Sequence, residues 1–269
     1  MKINLKLSHY LTVTLPATFL LLGSLSCGKD TPAPQPAPNP PVEQNPDSLA
    51  GTMQVNFLHH VDGQPLVFDS QNYVNQAEDT FRVTELKYYI SNVKLTNTAT
   101  GKTYLEKNSY HLLSPRDNKA GFKLAGIPVK EFNQIEFSIG VDAYANSRTD
   151  QTGDLDPASE MAWTWDTGYK FLVFGGDKIS KKAGASHGLS LHVGLNKNYK
   201  TFTFPLTETL KFQKDKPYNL EVEVNVNELF RSPNLIDFDA VFNVMGGPNA
   251  DKLAENYSTG MFRIKGIVQ

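Results

Sequence analysis

The sequence predicts an all-β protein, an antiparallel β-sandwich with one short helix near the C-terminus. Three observations lead to this prediction. Apolar and polar residues alternate over many short segments, these segments are rich in β-branched and aromatic residues, and Gly, Asn, Asp and Pro separate them. Many short strands between frequent turns are typical of two packed sheets, and a closed barrel is the second choice.

The predicted strands follow one another along the chain. In the first, Val55, Phe57, His59 and Val61 share one face, and a second, long strand covers residues 81–95. Further strands are expected at residues 110–113, 134–141, 170–174, 189–195, 200–204, 219–226, 238–244 and 261–268. A helix is expected at residues 248–257 with Asn249 as its cap, and a short helical turn at residues 227–230.

The N-terminus has the pattern of a bacterial lipoprotein signal peptide, residues 1–27. Lys2 and Lys6 precede the apolar run 11–25, which is too short to span a membrane and ends next to Cys27. Cys27 lies where a lipobox requires the Cys that carries the lipid. We therefore expect a protein of the cell envelope, lipid-anchored to the outer membrane on its periplasmic or its surface side.

A Pro-rich segment, residues 28–49, follows the signal peptide and is expected to be a disordered, extended tether. The remaining residues, 50–269, are long enough for one large β-sandwich domain. The formal net charge is −2, which gives no electrostatic footprint for nucleic acid.

Cys27 is the only Cys, so the mature domain can hold neither a disulfide nor a cysteine-based metal site. Imidazole then becomes the obvious ligand for copper or zinc. Strand parity predicts that His59 faces inward and His60 outward, and that His192 shares an open face with Ser190 and Gly194. No two His have a local ligand spacing, so any such site must be assembled across strands.

Both tryptophans lie in one stretch, residues 161–169. At period 2, Met161, Trp163, Trp165 and Thr167 point to one face of a strand. Such a pair of indoles could fill a core, form a ligand platform or provide a reactive site.

Two further motifs have simpler explanations. Residues 184–188 match G-x-S-x-G, but a nucleophile elbow must follow a buried strand and open a helix, and here a strand is expected next. Asp150, Asp154 and Asp156 surround Gly153 and could bind calcium, although a solvated turn with Asp caps also accounts for them.

Several blocks together resemble the MbnP-like family, β-sandwich proteins of the periplasm or lipid-anchored in the cell envelope, whose characterised relatives are linked to copper. The blocks are residues 57–63, 86–95, 140–142, 153–157, 161–169 and the strand that contains His192. The resemblance covers about residues 52–268, and Tyr-Tyr-Ile-Ser-Asn at 88–92 and Trp-Thr-Trp-Asp-Thr-Gly-Tyr at 163–169 are its most specific parts.

This resemblance implies a copper-binding protein without turnover of its own. It also implies a partner, a dihaem enzyme related to cytochrome c peroxidases, that oxidises Trp163 or Trp165 to kynurenine. The aryl amine and ketone of kynurenine can approach a metal, whereas an indole N–H only donates. By resemblance, His59 and His192 are the candidate imidazoles, with His60 as the alternate. Two other classes remain open: a glycan-binding or ligand-binding surface lipoprotein that stacks ligands on the aromatic residues, and a structural interaction module stabilised by calcium.

Overall fold

Two β-sheets pack face to face in the computed structural model, which describes residues 50–148, 150–164, 166, 168–179 and 186–268. In chain order the strands are β1 (Ala50–Val61), β2 (Gln64–Pro65), β3 (Asn72–Val74), β4 (Thr80–Thr96), β5 (Thr103–Leu105), β6 (Tyr110–Leu113), β7 (Gly121–Pro128), β8 (Glu131–Ile139), β9 (Lys170–Ile179), β10 (His187–Gly194), β11 (Lys200–Lys211), β12 (Pro217–Asn225), β13 (Asn243–Met245) and β14 (Phe262–Val268). The α-helices are α1 (Ala143–Asn146) and α2 (Gly247–Gly260). Short 3₁₀ turns lie at Pro115–Asp117, Gly153–Leu155, Pro157–Ser159, Asn196–Asn198 and Val226–Phe230.

The first sheet has the strand order β14-β12-β1-β2, and β7 also pairs with β1. The second sheet has the order β11-β8-β4-β9-β10-β13, and the short strands β3, β5 and β6 pair with β4. Most pairs are antiparallel, as predicted, but β1 with β12 and β10 with β13 are parallel. In both parallel pairs the strands are distant in sequence, so a crossover rather than a hairpin joins them.

Aromatic side chains fill the space between the sheets. Phe57 of the first sheet packs edge-to-face on Tyr88 and Phe137 of the second, with ring centroids 6.3 and 5.9 Å apart. Phe262 contacts all three of these rings. Each such pair contributes about 0.5–1.5 kcal/mol beyond the burial of its area. Alternation along β1 thus places its apolar face in the main core.

The register of β4 shifts twice, first between Val83 and Glu85 and then between Ser91 and Lys94, and such shifts change which side chains face the main core. Val83 is buried there before the first shift, and Leu86 and Tyr88 are buried there after it. The extra residue at a bulge reverses the alternation. As a result Glu85 and Lys87 lie on the outer face of the second sheet, the face directed away from the first sheet.

A second, smaller hydrophobic cluster covers part of this outer face. Its buried members are Tyr89, Leu112, Val141, Ala145, Leu155, Met161, Tyr169, Phe171 and Val173. Several of them come from the connection between β8 and β9, which folds back over the sheet. Because one sheet has apolar residues on both faces here, the sandwich has a third layer at this position.

Several predictions need correction. The strand expected at 161–167 is absent from the residues described there, because the chain turns back and β9 begins only at Lys170. The strand expected at 238–244 is reduced to β13. The cap of α2 is Gly246 rather than Asn249, and the helix extends to Gly260 instead of ending at residue 257. Residues 1–49, with Cys27 and the expected tether, lie outside the described residues. Within the described part of the chain, no helix is long and apolar enough to cross a membrane.

Candidate functional site

Trp163 lies in a tight turn that precedes β9. The amide of Trp163 donates to the carbonyl of Gly168 at 2.9 Å, and the amide of Lys170 donates to the carbonyl of Met161 at 2.6 Å. Gly168 has φ of +112°, a conformation that side chains rarely adopt, which lets the chain reverse. Trp165 lies outside the described residues.

The indole of Trp163 packs directly on the outer face of the second sheet. A Cβ at Gly194 would lie 2.8 Å from Trp163 Nε1, so only glycine permits this approach. The ammonium of Lys170 lies 5.8 Å from the ring centroid, within range of a cation–π interaction. Trp163 is only 8% exposed and Tyr169 is fully buried. Neither ring therefore offers the exposed platform that stacking of a glycan requires.

Among the described residues, the imidazole of His192 packs against this indole, with ring centroids 6.1 Å apart and ring planes inclined by 52°. It lies on the outer face with Ser190 and Gly194, as parity predicted. Its Nε2 lies 3.3 Å from Ser190 Oγ, whereas its Nδ1 is buried and finds no hydrogen-bond partner among the described residues. Burial, aided by the positive charge of Lys170, lowers the pKa of His192 to about 4. A neutral imidazole with an orphaned nitrogen is suited to ligate a metal.

His59 lies on the other side of the second sheet. Its Nε2 is 2.8 Å from the hydroxyl of Tyr88, a residue of the main core. Val173, the strand neighbour of His192, belongs instead to the outer cluster. The second sheet therefore separates the two imidazoles, and the prediction that His59 and His192 share one metal is wrong in this structure. Parity predicted the face that each histidine occupies on its own strand. It did not show that these two faces lie on opposite sides of the second sheet.

The other described histidines each have a structural role. His60, the alternate ligand, accepts from the amide of Gly63 at 3.0 Å in the turn after β1. His111 lies 2.8 Å from Glu106 Oε2, and His187 Nε2 lies 3.2 Å from a backbone carbonyl oxygen. The irregularity of β1 lies near its start, so no bulge moves His60 to the inner face.

The acidic loop does not gather its carboxylates. Asp154 accepts from the amide of Leu112 at 2.8 Å and pairs with Lys119 at 3.1 Å. Asp156 caps a 3₁₀ turn, and the exposed Asp150 pairs with an arginine. The three side chains thus serve separate local interactions, as the interpretation of a capped turn predicted, and no calcium site assembles from them in this structure.

A different group of carboxylates, which sequence inspection did not identify, lies between β4, β9 and the segment before β13. Asp79, Asp237 and Asp239 could together offer ligand atoms to a cation. The ammonium of Lys178 already occupies this group, 2.8 Å from Asp79 and bonded to Asp239. Burial alone would raise the pKa of Asp79, but hydrogen bonds from Lys178, from the backbone of Phe238 and from the side chain of Asn75 lower it. Lys178 therefore pairs with the buried Asp79, while Asp237 and Asp239 lie at the surface.

The serine motif has no catalytic context. Residues 184 and 185 lie outside the described residues, and His187 and Gly188 already belong to β10. A strand follows the serine instead of a helix, as predicted, so this is not a nucleophile elbow.

These features define a two-sheet β-sandwich that encloses an indole–imidazole pair on the outer face of its second sheet. The family model for MbnP matches residues 50–246, and the chain belongs to the MbnP family. Among solved structures, MbnP from Methylosinus trichosporium is similar at 17% identity with a TM-score of 0.50. The match covers 76% of this chain and 87% of that chain, and it supports the common fold. Comparison with curated proteins finds no match.

Proposed function

We propose that the protein binds copper in the cell envelope, at a site built from Trp163 and His192. One observation carries this proposal. The ring centroids of the enclosed Trp163 and of His192 lie 6.1 Å apart, and the buried Nδ1 of His192 has no hydrogen-bond partner among the described residues. An unsatisfied buried polar atom costs about 1–3 kcal/mol, and ligation of a metal removes that penalty. Copper is favoured because imidazole is a borderline ligand and the mature chain has no thiol.

Oxidation of Trp163 to kynurenine would complete this site. Oxidation that withdraws four electrons cleaves the indole C2–C3 bond and places one oxygen atom, from water or dioxygen, on each of these carbons. Hydrolysis of the resulting N-formyl group releases C2 as formate and leaves an aryl amine and a ketone at C3. The nitrogen that becomes this amine is Nε1, which already lies against Gly194, two residues from His192 on the same face. The indole itself offers no lone pair in the ring plane, so the amine and the ketone add donors that Trp163 lacks.

We further propose that a dihaem enzyme of the cytochrome c peroxidase type supplies the oxidising equivalents, and that the protein itself binds and does not turn over. The membership of the MbnP family supports this pairing. Trp163 is only 8% exposed. Electron transfer from the ring to a partner docked on the surface therefore accounts for its oxidation better than entry of the ring into the active site of the partner.

The test compares protein from its native host with protein expressed alone in a foreign host. Peptide mass mapping should find the kynurenine mass change at residue 163 only in the native host, together with bound copper. Trp163→Phe should abolish both, and Trp165→Phe, the same substitution two residues further along the chain, should retain both. An unmodified peptide from a host that demonstrably expresses the dihaem partner would contradict the oxidation. Copper retained by Trp163→Phe would contradict the site.

The cellular location forms a separate part of the proposal. Cys27 carries the lipid that anchors the protein to the outer membrane, and the tether at residues 28–49 holds the domain away from the bilayer. Cys27→Ser should move the protein from the membrane fraction to the soluble fraction. Retention of this variant in salt-washed membranes would rule out the anchor.

A further inference from the structure

We propose that the thioether of Met245 is a third protein ligand for copper, next to His192 and the modified Trp163. This inference rests on the proposed function and adds to it a soft sulfur donor. No sequence pattern pointed to Met245, because it lies just beyond the strand expected at residues 238–244.

The register of the second sheet places Met245 beside His192. Strand β13 pairs with β10 in parallel, and the paired residues are Ser190 with Asn243, Leu191 with Val244, and His192 with Met245. Neighbouring strands lie about 4.8 Å apart. The backbone positions of His192 and Met245 are therefore direct neighbours across one strand pair.

The two side chains also share a face. Leu191 and Val244, which form the pair before them, are both buried in the main core. Successive side chains of a strand point to opposite faces, so His192 and Met245 both lie on the outer face, where Trp163 packs. Alternating burial along β13, with only Val244 buried, agrees with this assignment.

The exposure of Met245 is unusual for its residue type in this protein. Met245 is 43% exposed, whereas Met53, Met161 and Met261, the other described methionines, are at most 1% exposed. Methionine normally fills cores, and here its place is an edge strand beside an imidazole with an orphaned nitrogen. Its unbranched chain has three rotatable bonds, so the sulfur can adjust to a metal held by its neighbour.

The chemistry of this set of donors favours copper(I). Metal bonds of about 2.0–2.3 Å to nitrogen and sulfur place two donors roughly 4 Å apart, a span that adjacent residues on one face can bridge. Thioether and imidazole are both neutral, and soft sulfur ligands select copper(I) over harder ions. Lys170, whose ammonium lies over the Trp163 ring, adds positive charge and further disfavours a divalent ion.

The test uses the full chain isolated from its native host. Copper(I) affinity is measured by competition with a chromophoric copper(I) chelator, and the copper environment by X-ray absorption. Met245→Leu should weaken copper(I) binding at least tenfold and remove the sulfur neighbour of copper. Met261→Leu, the same substitution at a buried methionine of the main core, should change neither. Thermal unfolding of both variants verifies that they are folded.

The outcomes separate this inference from the proposed function. Unchanged affinity and no copper–sulfur distance in the wild type, together with lost binding in His192→Ala, would overturn the role of Met245 and leave the copper site intact. Binding that survives His192→Ala would overturn the proposed site and this inference with it. A tenfold or greater loss in Met245→Leu with loss of the sulfur neighbour would establish the ligand.

Discussion

Protonation of His59 should destabilise the folded protein as the pH falls. The ring lies at the end of the main core, 2.8 Å from the hydroxyl of Tyr88. Burial lowers the pKa of His59 to about 4, and the neighbouring His60 adds to this shift, while a hydrogen bond with the backbone of Phe57 opposes it. In the unfolded chain, the pKa of a histidine is about 6.5.

The direction of the effect follows from these two pKa values. Between pH of about 6.5 and 4, the unfolded state binds a proton that the folded state does not, so the free energy of unfolding decreases as the pH falls. Each unit of difference in pKa corresponds to about 1.4 kcal/mol, so the loss due to His59 reaches about 3 kcal/mol near pH 4. Above a pH of about 6.5 this contribution to stability is fully present.

The assay is urea denaturation at a series of pH values from neutral to about 4.5, for the wild type and His59→Gln. The glutamine can still hydrogen-bond to Tyr88 but does not titrate, so the difference in free energy of unfolding between the two proteins should shrink or reverse as the pH falls. His192 has a similarly lowered pKa and contributes a slope of its own to both proteins, which cancels in the difference. A difference that does not depend on pH would refute a neutral, buried His59.

Two further predictions concern packing and charge. Gly194→Ala should displace the Trp163 indole, because the added Cβ would lie 2.8 Å from Nε1, and it should cost about 1–3 kcal/mol of stability and weaken copper binding. Gly188→Ala in the same strand, where a Cβ would meet nothing within 4 Å, is the control, and equal effects of both changes on binding and stability would contradict the packing argument. Lys178→Met should lower the free energy of unfolding by about 3–5 kcal/mol at neutral pH, because Asp79 would remain largely buried without its cation. An unchanged midpoint of urea denaturation would contradict this prediction.

Local alternation predicted most of the sandwich because each long strand buries one face. The strand at Tyr110–Leu113 has the predicted bounds, and β14 starts one residue after its predicted start. The same pattern failed around Trp163. There, Met161 and Trp163 lie two residues apart and are both buried in a turn that packs on the outer face, so the turn has the same spacing of large apolar residues as a strand.

The candidate site was predicted only in part, for a reason that lies in the topology. Parity assigns a side chain to one face of its strand, but it does not say whether that face is directed toward the other sheet or away from it. His59 is directed toward the main core between the sheets, whereas His192 lies on the outer face of the second sheet. The proximity of Met245 to His192 depends on a parallel register between β13 and β10, which no local pattern in either strand specifies.

The acidic loop and the turn that holds Trp163, which the sequence presented as two separate motifs, are joined by a hydrogen bond from the hydroxyl of Tyr169 to the carbonyl of Leu155 at 2.7 Å. Asp142 caps α1 and accepts a hydrogen bond from Asn92 at 3.2 Å. At the end of the same helix, Asn146 accepts from the amide of Tyr169 at 2.8 Å, which fixes the turn that carries Trp163. The polar side chains of the connection between β8 and β9 therefore satisfy backbone and side-chain donors that would otherwise be left without partners under the third layer. They fix the turn that holds the indole of Trp163 against the sheet. The proposed site of neutral donors can therefore lie beside a loop rich in carboxylates, because those carboxylates already serve separate local interactions.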